Sequence, residues 1–190
     1  MDRSVTIQKL IEGLAETSVA ERMKIRAQIV AFGKAAVPHL VAIVQKEGQA
    51  SYRAVDLLAD LAPEAALPVL IEAARSSHLR LAQASIEALG KMGDVQAVPV
   101  LVEQLKHSSS LIQMSAVQAL ELLGAHHAFE ALIQLLQTTS SASIRYTIIE
   151  SLGKLRDERA VPVIMMFQYD PDHHVRSRVA RALEAFGFHS

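Results

Sequence analysis

The chain has 190 residues, 51% of them hydrophobic and only 4% aromatic, with no Cys and no Trp, and its 19 Lys and Arg against 20 Asp and Glu leave a formal charge of -1. Without Cys there is no disulfide framework, no thiolate metal site and no cysteine nucleophile. The balanced charge removes the bulk positive field that carries non-specific nucleic-acid affinity, and the length is that of one ordinary domain.

Apolar residues three and four apart predict helices along the whole chain. The first pair covers 4–15 and 18–32; its opening segment, with Gln8, Lys9 and Glu12, lacks the apolar core of a signal peptide. The second pair, 35–47 and 50–61, opens on Ala36-Val37-Pro38, and the third, 64–75 and 78–91, on Ala66-Leu67-Pro68. The fourth, 95–106 and 110–123, opens on Ala97-Val98-Pro99. The fifth, 126–137 and 142–155, carries Ala128-Phe129-Glu130 at that step, and the sixth, 159–168 and 173–187, returns to Ala160-Val161-Pro162. Pro38, Pro68, Pro99 and Pro162 are spaced by 30, 31 and then 63 residues, a period of about 31 with one proline missing. Proline lacks an N–H and fits the first helical turn, so each is expected to start a first helix, with Asp94 and Asp157 as N-caps. Gly33, Gly93, Gly124 and Gly187 are placed to end helices at positive φ. Apolar runs such as 161–167, broken by Pro162, fall far short of the roughly 20 residues that span a bilayer, which predicts a cytoplasmic protein with no membrane association.

A single helical pair cannot bury its apolar face, whereas stacked pairs share a core. The expected fold is therefore all-α, a right-handed α-α superhelix of about six hairpins forming one domain over 1–190, with the second helices lining its concave side. Small residues recur at close-approach positions of those helices: Ala54, Ser85, Ala88, Ala116, Ala119, Ser151 and Ala182.

The run Leu89-Gly90-Lys91-Met92-Gly93-Asp94-Val95-Gln96-Ala97-Val98-Pro99 resembles HEAT repeats, in particular the bacterial HEAT-like repeats named after phycobilisome linker-chromophore lyases. So do the run from Ser151 to Pro162, and Val175-Arg176 with Ala182-Leu183. The resemblance covers nearly the whole chain, more loosely before residue 35. It implies a protein-binding scaffold, with a phycobilin lyase subunit or chromophore-protein chaperone as the alternative and a DNA-binding or repair solenoid as a third. It also implies that Arg145 and Arg176 take the family's ladder arginine, which pairs with a turn aspartate, Asp94 or Asp157; Ser51, Ala82 and Gln113 replace it elsewhere.

The repeat makes a candidate partner-binding face readable. One column of the second helices reads Tyr52, Gln83, Met114, Tyr146 and Ser177, and the column one turn on reads Asp56, Glu87, Gln118, Glu150 and Arg181, with Arg178 beside the last. Tyrosines are enriched as interface anchors, and the carboxylates Asp56, Glu87 and Glu150 suit a partner segment with basic or amide groups. The expected partner is another protein, not nucleic acid.

No catalytic, cofactor or metal site is expected. The pairs His126-His127 and His173-His174 fall at opposite ends of a hairpin, and adjacent helical residues point about 100° apart, unlike a chelating i, i+4 pair. No His is followed by Glu, which removes the iron-site signature of deoxyhypusine hydroxylase-like solenoids. Serines lack a strand-elbow-helix context, and Gly90 to Gly93 is a helix end with no Lys-Ser/Thr behind it. Phe186 and Phe188 are expected to tuck back and leave a monomer; the alternative is a dimer through the carboxy-terminal edge.

Overall fold

A computed structural model describes residues 3–15 and 18–188. Among these residues lie twelve α-helices and three short 3-10 turns, and no strand. Two compact units form, Met1–Met92 and Gly93–Ser190. The first holds α1 (Arg3–Gly13), α2 (Val19–Phe32), α3 (Val37–Gln45), α4 (Ser51–Leu61), α5 (Pro63–Ala73) and α6 (Leu79–Met92). The second holds α7 (Val98–Gln104), α8 (Ser110–Leu122), α9 (Phe129–Thr138), α10 (Ala142–Leu155), α11 (Ala160–Met165) and α12 (His173–Ala185). Consecutive helices pack as six hairpins, α1 with α2 through α11 with α12.

The hairpin starts follow the sequence with two corrections. Pro38 and Pro99 stand in the first turn of α3 and α7, and Pro162 in that of α11, where backbone N–H groups have no helical acceptor to lose. Pro68, by contrast, lies inside α5, whose first residue is Pro63. The 3-10 turns Gly33–Ala36, Val95–Ala97 and His126–Ala128 delay the start of α3, α7 and α9. The Asp94 carboxylate accepts the Gln96 N–H at 2.9 Å and caps a 3-10 turn, while Asp157 accepts the Arg159 N–H at 3.1 Å ahead of α11, so neither aspartate is the N-cap of an α-helix as the sequence suggests.

The core of the first unit is Ile7, Ile11, Ile29, Leu40, Leu57, Leu58, Leu70, Ile86 and Leu89; that of the second includes Leu101, Ile112, Leu120, Ile148, Leu152 and Ile164, all buried. Each such side chain contributes about 1.5–3 kcal/mol of burial. The small residues of the second helices are buried too, and at Gly153 a Cβ would stand 3.0 Å from that of Ala182. Residues Val19–Gln45 have the length and apolarity of a membrane span. Gly33, at φ 55 and ψ -136, breaks that run into α2 and α3, each too short at about 1.5 Å per residue to cross a bilayer.

The ladder arginines do not pair as the resemblance implies. Arg145 lies in the first turns of α10 and Asp157 beyond its end, some 18 Å away along the helix. Instead Arg145 grips Asp170, on the turn between α11 and α12, with Nε and Nη2 donating at 2.7 and 3.0 Å, and Nη1 donates to the Ser140 carbonyl. Arg176 donates to the Asp170 and Pro171 carbonyls. Two of the residues said to replace the arginine also donate to backbone carbonyls, Ser51 to that of Ile43 at 2.6 Å and Gln113 to that of Leu105 at 2.9 Å.

The carboxy-terminal expectation holds for one phenylalanine only. The Phe188 N–H bonds back to the Leu183 carbonyl across Gly187, at φ 87, a Schellman ending that leaves Phe186 half-buried and Phe188 51% exposed. His189, beyond it, lies outside the described residues.

Arg156 ends α10 in the left-handed conformation, φ 53 and ψ 36, a positive φ of the kind that Gly33, Gly93, Gly124 and Gly187 adopt at their helix ends. A side chain there costs about 1 kcal/mol, so Arg156→Gly is expected to stabilise the protein by that amount in urea unfolding. Asp170 supplies a second prediction. Burial pushes its carboxyl up, but the Arg145 hydrogen bonds, the Asp172 N–H and the Arg145 charge outweigh it and hold the pKa below the usual carboxylate range. Because the folded value is the lower one, the stabilisation is complete above the unfolded pKa of about 3.9 and is lost as pH falls through the folded value. Asp170→Asn is expected to cost roughly 3 kcal/mol at neutral pH, as loss of one partner of a buried pair does, and to flatten the fall in stability below about pH 4. Urea melts at neutral and acid pH measure both effects.

Candidate interaction surface

Burying Ala54, Leu57 and Leu58 on α4 turns Tyr52 and Asp56 to the opposite side of the helix, and the same register acts on the other second helices. All ten candidate residues lie on second helices and none is buried: Asp56, Gln118 and Arg181 are exposed, and Tyr52, Gln83, Glu87, Met114, Tyr146, Glu150 and Arg178 are partly covered.

In the first unit, Tyr52, Asp56 and Glu87 line one cleft of about 390 Å³, together with Val19, Met23 and Arg53. The Gln83 amide donates to Glu87 at 2.8 Å, and Asp56 faces the Lys91 ammonium at 3.8 Å. Tyr52 is held between two cations: the Arg53 guanidinium lies 5.1 Å from its ring centre and that of Arg80 lies 5.9 Å away. Arg53 Nε also donates to the Tyr52 hydroxyl at 2.7 Å, while Nη1 donates to the Leu14 and Ala15 carbonyls.

In the second unit, Met114 and Tyr146 line a cleft of about 420 Å³ with Ser143, Thr147, Asp172 and His174. Arg178 stacks on Tyr146 at 4.2 Å from the ring centre and faces Glu150 at 3.1 Å, with only 14% of its side chain exposed. Burial, and then the like charge of Arg181, lower its pKa, and its Nε–H has no acceptor among the described residues. Lys154 closes the network. It lies 2.9 Å from Glu121 and 3.5 Å from Glu150, and the Glu121 hydrogen bond first, against some burial, raises its pKa. Glu121 also accepts from the Ser151 hydroxyl at 2.8 Å. Gln118 joins neither group, and Arg181 enters only through its charge.

The sequence columns therefore find the tyrosines and carboxylates but miss Arg53, Arg80, Lys91, Glu121 and Lys154, which partner them. A signal exists for Lys154, which stands four residues after Glu150, the spacing of helical ion pairs; the same spacing points Lys91 at Glu87, whereas it faces Asp56. Met23 is also missed. Placing Ile25 and Ile29 in register with Ala54 and Leu58 puts Met23 in the Tyr52 column and Ala27 in the Asp56 column.

Stacked helical hairpins with a repeating outward face define an α-helical repeat protein. The family model for HEAT repeats matches residues 37–121 and 102–184, most of the chain, and the protein belongs to the HEAT-repeat family. No curated protein matches it. Among solved structures it is similar to the complex of CpcE and CpcF of phycocyanin lyase from Nostoc sp. PCC7120, at 28% identity and a TM-score of 0.65, over 78% of this chain and 64% of that chain. This chain thus spans just under two thirds of that relative's length. It is also similar to a designed armadillo repeat protein in complex with the peptide (KR)4, at 17% identity and TM-score 0.61, over 95% and 99% of the two chains. Human deoxyhypusine hydroxylase in complex with glycerol matches at 16% identity and TM-score 0.57, over 97% and 88%. At the last two identities the likeness is one of fold. The fold is HEAT- and armadillo-like.

Proposed function

We propose that this protein is a non-enzymatic interaction scaffold that holds a segment of another protein against the outward face of its second helices. The observation that carries this reading is the pairing of half-covered tyrosines with guanidinium groups. Tyr52 lies against Arg53 and Arg80, and Tyr146 lies under Arg178. A rigid aromatic with a polar tip gives large contact area at small entropic cost, and its neighbours lock it before a partner arrives. Membership of the HEAT-repeat family supports the same reading.

Capture from the source organism with wild-type protein as bait, beside a bait carrying Tyr52→Ala, Glu87→Arg and Tyr146→Ala, tests it. The wild-type bait is expected to retain a discrete protein that the triple variant loses about tenfold or more, the loss that truncating two hot-spot side chains produces. Identical recovery with both baits defeats the proposal.

A second reading rests on the likeness to phycocyanin lyase: the chain serves as a subunit or chaperone in tetrapyrrole attachment. Under it, adding the protein to a free bilin shifts the pigment's absorbance band, and Tyr146→Ala weakens the shift. An unchanged spectrum removes that reading and leaves the scaffold.

A further inference from the structure

Helix α2 buries only Ile25 and Ile29. Val19, Met23, Ala27 and Val30, three and four apart on another side, are all exposed, Val19 to 65% and Met23 to 69%. A helical apolar stripe left in water marks a contact surface. Here it continues the outward columns of the second helices into the first hairpin, and Val19 and Met23 wall the cleft that Tyr52 and Arg53 share.

On the other side of Tyr52 lies a larger cleft, about 690 Å³, lined by Arg53, His78, Arg80, Gln49 and Glu47 among others. Its charges do not cancel. Arg53 donates to two backbone carbonyls and a hydroxyl, all neutral, and Arg80 is exposed; among the described residues neither guanidinium has a carboxylate partner. Of the carboxylates nearby, Asp56 faces Lys91 and Asp60 faces Arg26 at 2.6 Å, Glu87 is held by the neutral Gln83 amide, and Glu47, which lines this cleft, lies 3.9 Å from His78, so two guanidinium charges stand against one carboxylate in the lining. Tyr52 thus lines two clefts, one whose walls include the exposed Val19 and Met23 along with Arg22, Arg26, Asp56 and Glu87, and one in which the guanidinium groups of Arg53 and Arg80 outnumber the single carboxylate of Glu47.

We propose that this surface binds an acidic, apolar segment of a partner protein. An aliphatic side chain of the segment rests on Val19 and Met23, and an adjacent Asp or Glu carboxylate sits at Arg80 and Arg53 across Tyr52. The proposal rests on the scaffold reading and assigns its partner a chemistry, one opposite to the basic segment that the acidic column of α4, α6 and α10 suggests from sequence. Guanidinium groups suit the task because their planar fork accepts a carboxylate while stacking on an aromatic ring.

Fluorescence polarisation with two labelled short peptides, one alternating Leu and Glu and one alternating Leu and Lys, decides the matter. The Leu/Glu peptide is expected to bind about tenfold more tightly, the ratio expected from two partly exposed charge contacts. Arg80→Glu, at an exposed position, is expected to abolish that preference, and Met23→Ser to weaken the Leu/Glu peptide while leaving the far-ultraviolet circular dichroism unchanged. Equal affinities, preference for Leu/Lys, a preference unmoved by Arg80→Glu, or no binding of either peptide overturns the proposal. An Arg80→Glu bait separates the two claims in the capture experiment. If it keeps the protein that the triple variant loses, the scaffold stands and the acidic-segment assignment falls; if it loses that protein too, both gain.

Discussion

Close approach between successive second helices sets the terms for the rest of each unit. At Gly153 there is no room for a methyl group beside Ala182, and α10 and α12 meet there more tightly than larger side chains permit. The same requirement puts Ala54, Ser85, Ala88, Ala116, Ala119 and Ser151 in buried places on the other second helices. With that layer reserved for small residues, volume has to be supplied by Leu, Ile and Val between the two helices of each hairpin, which is why a chain with 4% aromatic residues still fills its core. Tight contact also brings polar groups of neighbouring helices within reach, so that Ser151 on α10 bonds to Glu121 on α8 and Lys154 joins the same carboxylate.

A second constraint acts at the hairpin turns. The last carbonyls of a first helix have no acceptor role inside the helix and need a donor. One position near the start of the second helix provides it through a hydroxyl at Ser51 and an amide at Gln113, whereas the guanidinium groups of Arg145 and Arg176 at that position reach carbonyls of the turn between the helices. Arginine is one solution among several, and its additional reach lets Arg145 hold Asp170 as well. Ala82 stands at this position without any donor. What repeats along the chain is therefore a hydrogen-bonding need, met by different residues, more than a residue type.

Much of the fold was legible because its signals are local. Proline phase, glycine at helix ends and three-four apolar spacing each report on a few consecutive residues, and they locate the six hairpins. The misses have local causes too. Pro68 looks like a helix start because it keeps the period, yet Pro63, five residues earlier, already occupies the first position of α5. Arg156 carries no glycine signal, so the left-handed end of α10 is invisible until the backbone is traced. The ladder pairing failed because it joins residues at opposite ends of α10, a distance no periodicity encodes. On the candidate surface, that none of the ten residues is buried followed from the buried stripe of the same helices, whereas their partners did not, since Arg53 and Arg80 belong to no column.

That last failure bears on how charge is read from any repeat. A column of Asp56, Glu87 and Glu150 counts three negative charges, but charge available to a partner is what remains after neighbours are paired. Lys91 and Lys154 enter from the flank of their helices, and Arg178 enters from the next hairpin, so two of the three carboxylates already face cations. Exposed pairs of this kind are worth little in stability, yet they cancel much of the field a ligand would feel at close range. The guanidinium groups at Tyr52 escape such cancellation because Arg53 is satisfied by neutral carbonyls, which fix its position without neutralising it. Hydrogen-bond satisfaction and charge compensation are separate conditions, and a group that meets the first but not the second is where a partner's opposite charge gains most.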